Sequence, residues 1–402
     1  MRLFFLALLG LISMTLTGQN SLSIMYYNLL NYPGTTAGRA DTLRKIVQYI
    51  QPDMLVVNEL SSEEGADIIL SQSLNVYGIG HYKRALFTNG EDTDNMLFYD
   101  STKVEISYQY EVETALRLIN EYNLYVIADR PDTLFFCVYS AHLKSSQGSE
   151  EENLRLAEAT AFKARLAEKT DRQNIIFGGD LNLYTSNEKA YDAITTAYDI
   201  ELHDPIFTPG NWHNSSVYAN IHTQSTRVAQ FGGGASGGID DRFDIMFVST
   251  DVLTGENRLQ YEKDSYTTIG QDGNRFNQSI MDPPNFSAPD SVISALYYMS
   301  DHLPIMMTLS VLDSASGVQE LALAKFQIHY WLKGNMLYME PIHQDICFKL
   351  FDISGRQLFD AEIAKGSNQI EIPNIGNGIY LLYFEDEESH EVFVSKAFLS
   401  KP

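Results

Sequence analysis

Six apolar runs in this 402-residue chain are edged by side chains able to bind a metal ion or move a proton. Asn28 closes SIMYYN, Glu59 closes MLVVNE and His142 closes FFCVYSAH. Asp180 and Asn182 close NIIFGGDLN, Asp244 sits inside DDRFDIMFVS, and Asp301 and His302 open SDHLPIMM. Taken singly, each has an ordinary reading as a turn or surface residue. Taken together they do not, because several carboxylates at one sheet edge are costly unless a cation neutralises them. Carboxylate and amide oxygens suit a hard divalent ion, Mg²⁺ first, with Mn²⁺ and Ca²⁺ as alternatives. The sequence contains no HExxH motif and no Cys/His pairing of the kind that holds a structural zinc.

The formal net charge of −24 argues against a broad basic groove that tracks nucleic-acid phosphates. It leaves open an enzyme that meets phosphates through a bound divalent cation, which reverses the local sign.

The elements that must carry these residues alternate. Leu22–Leu30, Asp53–Leu60, Asn95–Ser101, Thr133–Leu143, Asn174–Asn182, Phe243–Ser249 and His302–Leu312 read as strands. Ala40–Gln51 has helical apolar spacing and stops at Pro52, Ser61–Leu74 opens with capping serines, and Ser149–Thr170 has acids early and bases late, as the helix dipole prefers. This alternation predicts a layered α/β domain ending near Leu312. QFGGGASGGIDD lacks the Lys-Ser/Thr ending of a phosphate-binding P-loop and reads as a loop leading into a strand, or as a loop shaping the site rim. Cys137 lies mid-strand and is expected to be buried and unbridged to Cys347.

In order, YYNLLNY, VVNEL, SAHLKSS, GGDLNLY, RFDIMFVS and SDHLPI resemble the motifs of the endonuclease/exonuclease/phosphatase family, which includes deoxyribonuclease I, exonuclease III, sphingomyelinases and inositol polyphosphate phosphatases. The resemblance covers Leu22 to Leu312 and implies a four-layer α/β/β/α sandwich. It implies that Glu59 is the principal metal-ligating glutamate, with Asn28 beside it and Asp301 completing the metal environment. It makes Asp180 and Asn182 the pair that positions the nucleophilic water and contacts the scissile phosphate. His302 matches the catalytic histidine, Asp244 the carboxylate that orients it, and His142 the histidine that protonates the leaving oxygen. Lys144 is a candidate phosphate contact, with a solvent-facing role as its alternative.

Substrate is less defined. No Arg follows Asn182, which weakens a phosphoinositide reading, and the one modest candidate for a membrane-contacting apolar hairpin is SALYYMS. The leading expectation is a secreted, metal-dependent phosphodiester hydrolase, a nuclease on DNA or RNA and monomeric. Its rivals are a phosphatase or sphingomyelinase-like enzyme on a small or lipid substrate, and a non-catalytic surface-binding protein on the same fold.

Both ends carry address-like features. Residues 1–18 read as a signal peptide, with Arg2 before a short apolar run, and no later segment is long and apolar enough to span a bilayer. Residues 313–318 read as a linker and 319–402 as a small all-β sandwich. Its LFDISGRQL, IPNIGNGIYLLYF and Lys396 before a terminal strand resemble the C-terminal sorting domain of type IX secretion substrates. That resemblance implies a partner in the type IX machinery and a released or cell-surface location. A carbohydrate- or protein-binding module is the alternative.

Overall fold

The computed structural model describes residues 20–127 and 133–312, together with 328, 330–333, 335–339, 344–352, 356–373, 376, 378–386 and 392–399. The expected signal peptide (1–18) and linker (313–318) lie outside the described residues, as does the side chain of Lys396. The chain forms two compact units, Met1–Ser314 and Ala315–Pro402.

The first unit begins with β1 (Asn20–Tyr32), α1 (Arg39–Ile50), β2 (Met54–Leu60), α2 (Glu63–Ile68), β3 (Tyr82–Arg84) and β4 (Asp94–Asp100). It continues through β5 (Val104–Val112), β6 (Ile119–Val126), β7 (Phe135–His142), α3 (Ser149–Glu168), β8 (Ile175–Asp180), α4 (Lys189–Thr196), β9 (Leu202–His203) and β10 (Asp244–Ser249). It ends with α5 (Thr250–Thr254), β11 (Leu259–Tyr261), β12 (Thr267–Thr268), α6 (Asp290–Met299) and β13 (Ile305–Val311).

Two sheets result. One has the order β11-β13-β1-β2-β4-β3, with β12 paired to β13, and the other has β5-β6-β7-β8-β10-β9. Side-chain alternation shows how they stack. Val138, Ile176, Met246 and Val248 of the second sheet pack into one core with β1, β2 and β4 of the first. Their neighbours Tyr139, Ile175, Phe177, Ile245 and Phe247 pack instead with Phe162 and Leu166 of α3 and Ile194 of α4. Because successive strand residues face opposite ways, this alternation requires the second sheet to lie between the first sheet and α3/α4. α1 and α6 join the other core through Leu43, Ile46, Leu296 and Met299. The architecture is the four-layer α/β/β/α sandwich. The phenol of Tyr26 crosses between the sheets to donate to Tyr139 O at 2.8 Å.

Three local readings differ from expectation. β5 and β6 form a hairpin that periodicity missed, because VEISYQYEV is a half-exposed strand rich in tyrosine and polar residues. SALYYMS is no hairpin: it lies in α6 and its approach to β13, with Ala295, Leu296 and Met299 buried in the core. The helix expected over Ser61–Leu74 is α2 followed by a π-helical turn over Ile69–Leu74. Cys137 is buried, and no disulfide joins it to Cys347.

The second unit is all-β. Strands β14 (Tyr330–Lys333), β15 (Met336–Met339) and β18 (Gln369–Glu371) form one sheet; β16 (Ile346–Asp352), β17 (Gln357–Ile363), β19 (Gly378–Asp386) and β20 (Val392–Leu399) form another. Leu337, Phe348, Leu350, Leu382 and Phe384 fill its core. Among the described residues, no helix is long and apolar enough to cross a membrane.

Candidate active site

Strand register brings the site residues to one edge. On the second sheet, Asp180 pairs with His142 on parallel β7 and with Asp244 on antiparallel β10, so the three stand abreast. On the first sheet, β1 and β2 run parallel with Asn28 opposite Asn58, and the loop before β13 delivers Asp301 and His302. Bulges aim the side chains. Register shifts interrupt β1 after Asn28 and β2 before Leu60, and Leu30, Asn31 and Glu59 there take left-handed backbone conformations.

Asp180 is the hub. Its Oδ2 accepts from Asn28 Nδ2 at 2.9 Å and lies 3.5 Å from His142 Nε2 and 3.6 Å from His302 Nε2. Asn28 Nδ2 also donates to Glu59 Oε1 at 3.0 Å, and Asn31 N donates to Glu59 Oε2 at 3.0 Å. His302 Nδ1 is 2.7 Å from Asp244 Oδ2. Asn182, with a left-handed backbone, donates its amide N–H to Asp180 Oδ1 and its side chain to Leu143 O.

Burial sets the electrostatics. Asp180, Asp244 and Asp301 are each at most 3% exposed. A buried ion costs several kcal/mol unless it is paired. Burial pushes the Asp180 carboxyl up to about 7; His302 opposes the rise, while Asp244 and Glu59 add to it. For His302, burial favours the neutral form, but Asp244 and Asp180 overcome it and raise the imidazole well above its ordinary value. Burial, with Arg117 and His302 assisting, holds His142 well below its ordinary value.

Glu59, His142 and Asp180 place one ligand atom each within 4.8 Å of one another, a group that could hold a metal ion. Two carboxylates and a neutral imidazole suit a divalent cation, and His142 Nδ1 and the second oxygens of Asp244 and Asp301 are buried without partners. The structure thus groups His142, and not Asp301, with Glu59. Asp301 Oδ2 instead accepts the Ala235 N–H at 2.6 Å, and a Cβ on Gly234 would meet the Asp301 carboxylate at 2.6 Å. The glycine-rich loop is therefore part of the site rim. The Lys144 ammonium donates to Ser145 O at 2.8 Å, and among the described residues no hydrogen bond joins it to Asp180, His142 or Glu59.

Four further residues enter that sequence reasoning missed. Asn58 ties the sheets together: Nδ2 donates to Asn95 Oδ1 at 2.6 Å and Ser140 Oγ at 3.2 Å, and Oδ1 accepts the Asp180 N–H at 3.1 Å. An amide inside the apolar run MLVVNEL was its only signal. Gly179, φ +136°, must be glycine, since a Cβ there would fall 2.0 Å from Ala141 O. Gln224 Nε2 is 2.7 Å from His302 Nε2. Arg117 pairs with Asp92 through Nη2, while its buried Nε and Nη1 have no partner and its charge acts on His142.

No family model and no curated protein matches this sequence. Among solved structures, the chain is similar to D. rerio TDP2 complexed with single strand DNA product, at 14% identity over 72% of this chain and 99% of that one, TM-score 0.49. It is similar to the human Nocturnin catalytic domain with bound sulfate anion, at 16% identity over 72% and 94%, TM-score 0.46. It is also similar to an endonuclease/exonuclease/phosphatase from Beutenbergia cavernae DSM 12333, at 12% identity over 94% and 100%, TM-score 0.44. At these scores the architecture rests on the sheet order and core packing described above.

Proposed function

We propose that this chain is a secreted, divalent-metal-dependent phosphodiester hydrolase acting on DNA or RNA. The observation that carries the reading is the convergence of Asn28, His142 and His302 on one carboxylate oxygen of Asp180, from both sheets. Glu59, His142 and Asp180 would hold the cation, with Mg²⁺ proposed and Mn²⁺ the ion to compare because an imidazole is among the donors. Bound there, such an ion supplies positive charge to non-bridging phosphate oxygens and eases deprotonation of water.

The protein's own groups do the rest. Asp244 holds the His302 ring through Nδ1, so Nε2 faces Asp180. Asp180, whose Oδ2 lies within reach of both histidines, would accept the attacking water's proton. Burial raises its carboxyl in the cation-free site, and a bound cation would keep it ionised and ready to accept. His302, protonated, offers charge to the phosphate and a proton to the departing oxygen. His142, held neutral, serves the cation side and not as the proton donor that the family resemblance implied. The bond from water oxygen to phosphorus forms as the bond to the leaving oxygen breaks.

Export completes the proposal, with residues 1–18 directing passage across the inner membrane and 319–402 addressing the type IX machinery. The deciding experiment measures turnover of plasmid DNA, RNA, sphingomyelin and bis(para-nitrophenyl) phosphate in parallel, with Mg²⁺ or with EDTA. Nucleic-acid cleavage lost in EDTA is the expected result. Selective cleavage of sphingomyelin, or none of the four, overturns it.

A further inference from the structure

Beside Glu59 lies a cleft of about 230 Å³ that the reaction above does not use. Its walls include Asn31, Arg39, Arg227, Phe231 and Tyr298. It adjoins the site on two sides: Asn31 N binds Glu59, and the loop carrying Phe231 continues into Gly234 and Ala235 on Asp301.

Its charge is unusual for a protein with a net charge of −24. Arg39 and Arg227 are buried, and neither guanidinium has a carboxylate at ion-pair distance among the described residues; Glu59 and Asp301 act on them only from farther off. Arg39 spends its donors on the carbonyls of Leu29, Leu30, Pro33 and Met299. Arg227 donates to Tyr297 O at 2.8 Å and Phe231 O at 2.7 Å, while Nη2 makes no hydrogen bond among the described residues. α1 opens at this cleft with Arg39 as its first residue, and Gly38 supplies no side-chain cap to the first-turn N–H groups. Two desolvated cations and a bare helix start favour an anion here.

The rim is aromatic. Phe231 and Tyr298 are 36% and 47% exposed and meet edge-to-face at 5.4 Å. The ring of Phe231 also lies 5.1 Å from the Arg227 guanidinium. A phosphate on Arg227 would thus carry its own base onto an aromatic face.

We infer that this cleft is a substrate subsite for an unpaired nucleotide next to the scissile phosphate, so that the enzyme acts on single-stranded nucleic acid. The inference rests on the hydrolase reading for the position of the scissile phosphate. A duplex hides its ring faces in the stack and would lay rows of phosphates along an acidic surface. A flexible strand can place one phosphate and one base in the cleft.

The test uses the full-length protein. In EDTA, fluorescence anisotropy of a labelled oligothymidylate reports binding without cleavage. Phe231→Ala, Tyr298→Ala and Arg227→Lys are each expected to weaken binding about tenfold, as loss of a stacked base does. The same strand in a duplex is expected to bind about tenfold more weakly than the free strand. With Mg²⁺, the ratio of kcat/KM for the strand to that for bis(para-nitrophenyl) phosphate should fall by the same factor. The two exposed aromatics keep the test decisive where Arg227→Lys fails to fold. Unchanged binding in both aromatic variants, or equal binding of strand and duplex, overturns the inference even if hydrolysis persists. Variant-sensitive binding by a protein that cleaves neither substrate sinks the hydrolase reading and leaves the cleft assignment standing.

Discussion

The Asn28 carboxamide and the Asp180 carboxylate, 152 residues apart in sequence and on different sheets, meet at 2.9 Å. Their contact joins the two sheets at the site edge, and Glu59 and both histidines are arranged around it.

If Asp180 takes the proton of the attacking water and His302 protonates the leaving oxygen, their loss should be felt in kcat. Asp180→Asn and His302→Ala are each expected to lower turnover of bis(para-nitrophenyl) phosphate at least about a hundredfold, with circular dichroism unchanged, since acid–base groups contribute about 10²–10⁴-fold. Near-normal turnover in either purified variant removes that residue from the chemistry.

Glu59 is half-exposed at a bulged strand end and belongs to the cation-holding group. Glu59→Gln is expected to shift the Mg²⁺ activation midpoint upward about tenfold or more, as loss of a ligand charge weakens a hard-ion site. A titration curve that overlays the wild type would assign the cation to other residues.

The buried carboxyl of Asp180 gives a pH signature to the metal-free protein. Its folded pKa, about 7, exceeds the unfolded value of about 3.9, so between them the folded state holds a proton that the unfolded chain has released. That contribution to stability is full below about pH 4 and is lost as pH rises toward 7. His302, also raised, acts in the same direction, while His142, held low, acts in the opposite one below about pH 6.5. In EDTA, the Tm of Asp180→Asn relative to the wild type should therefore rise from roughly pH 4 to pH 7, the span over which the wild type loses the Asp180 contribution. Equal slopes would place the titration elsewhere.

Gly234 and Gly232 both adopt left-handed backbone, but only at Gly234 would a Cβ meet another atom, the Asp301 carboxylate. Alanine at either position is expected to cost about 1 kcal/mol for the backbone alone. Gly234→Ala should add a severalfold loss of turnover that Gly232→Ala lacks. Equal turnover in the two variants would show that the loop does not position Asp301 for function.

The site residues all precede Ser314, where the first compact unit ends. A chain truncated after Ser314 is expected to fold and to keep its turnover in vitro. In a type IX-secreting host, the same truncation should remain in the periplasm. Fractionation of the cells tests the address, and assay of the purified protein tests the boundary.

Much of the site was readable from local pattern. Asn28, Glu59, His142, Asp180 and His302 each edge an apolar run long enough to be a buried strand, and that pattern needs no partner to be seen. Buried β1, β2, β7, β8, β10 and β13 were legible for the same reason. The hairpin of β5 and β6 was not, because its half-exposed face breaks the apolar run. Nor could any local signal show that His142 stands with Glu59 and Asp180, or that a glycine-rich loop grips Asp301. The pairing of Asn58 with Asp180 and the clustering of Arg39 and Arg227 beside Phe231 were equally hidden. These contacts join strands and loops far apart in the chain. Their distances are set by sheet register and by the packing of one sheet on the other. Hydrophobic periodicity tells which face of an element is buried; only the assembled sheets determine which polar ends share one edge.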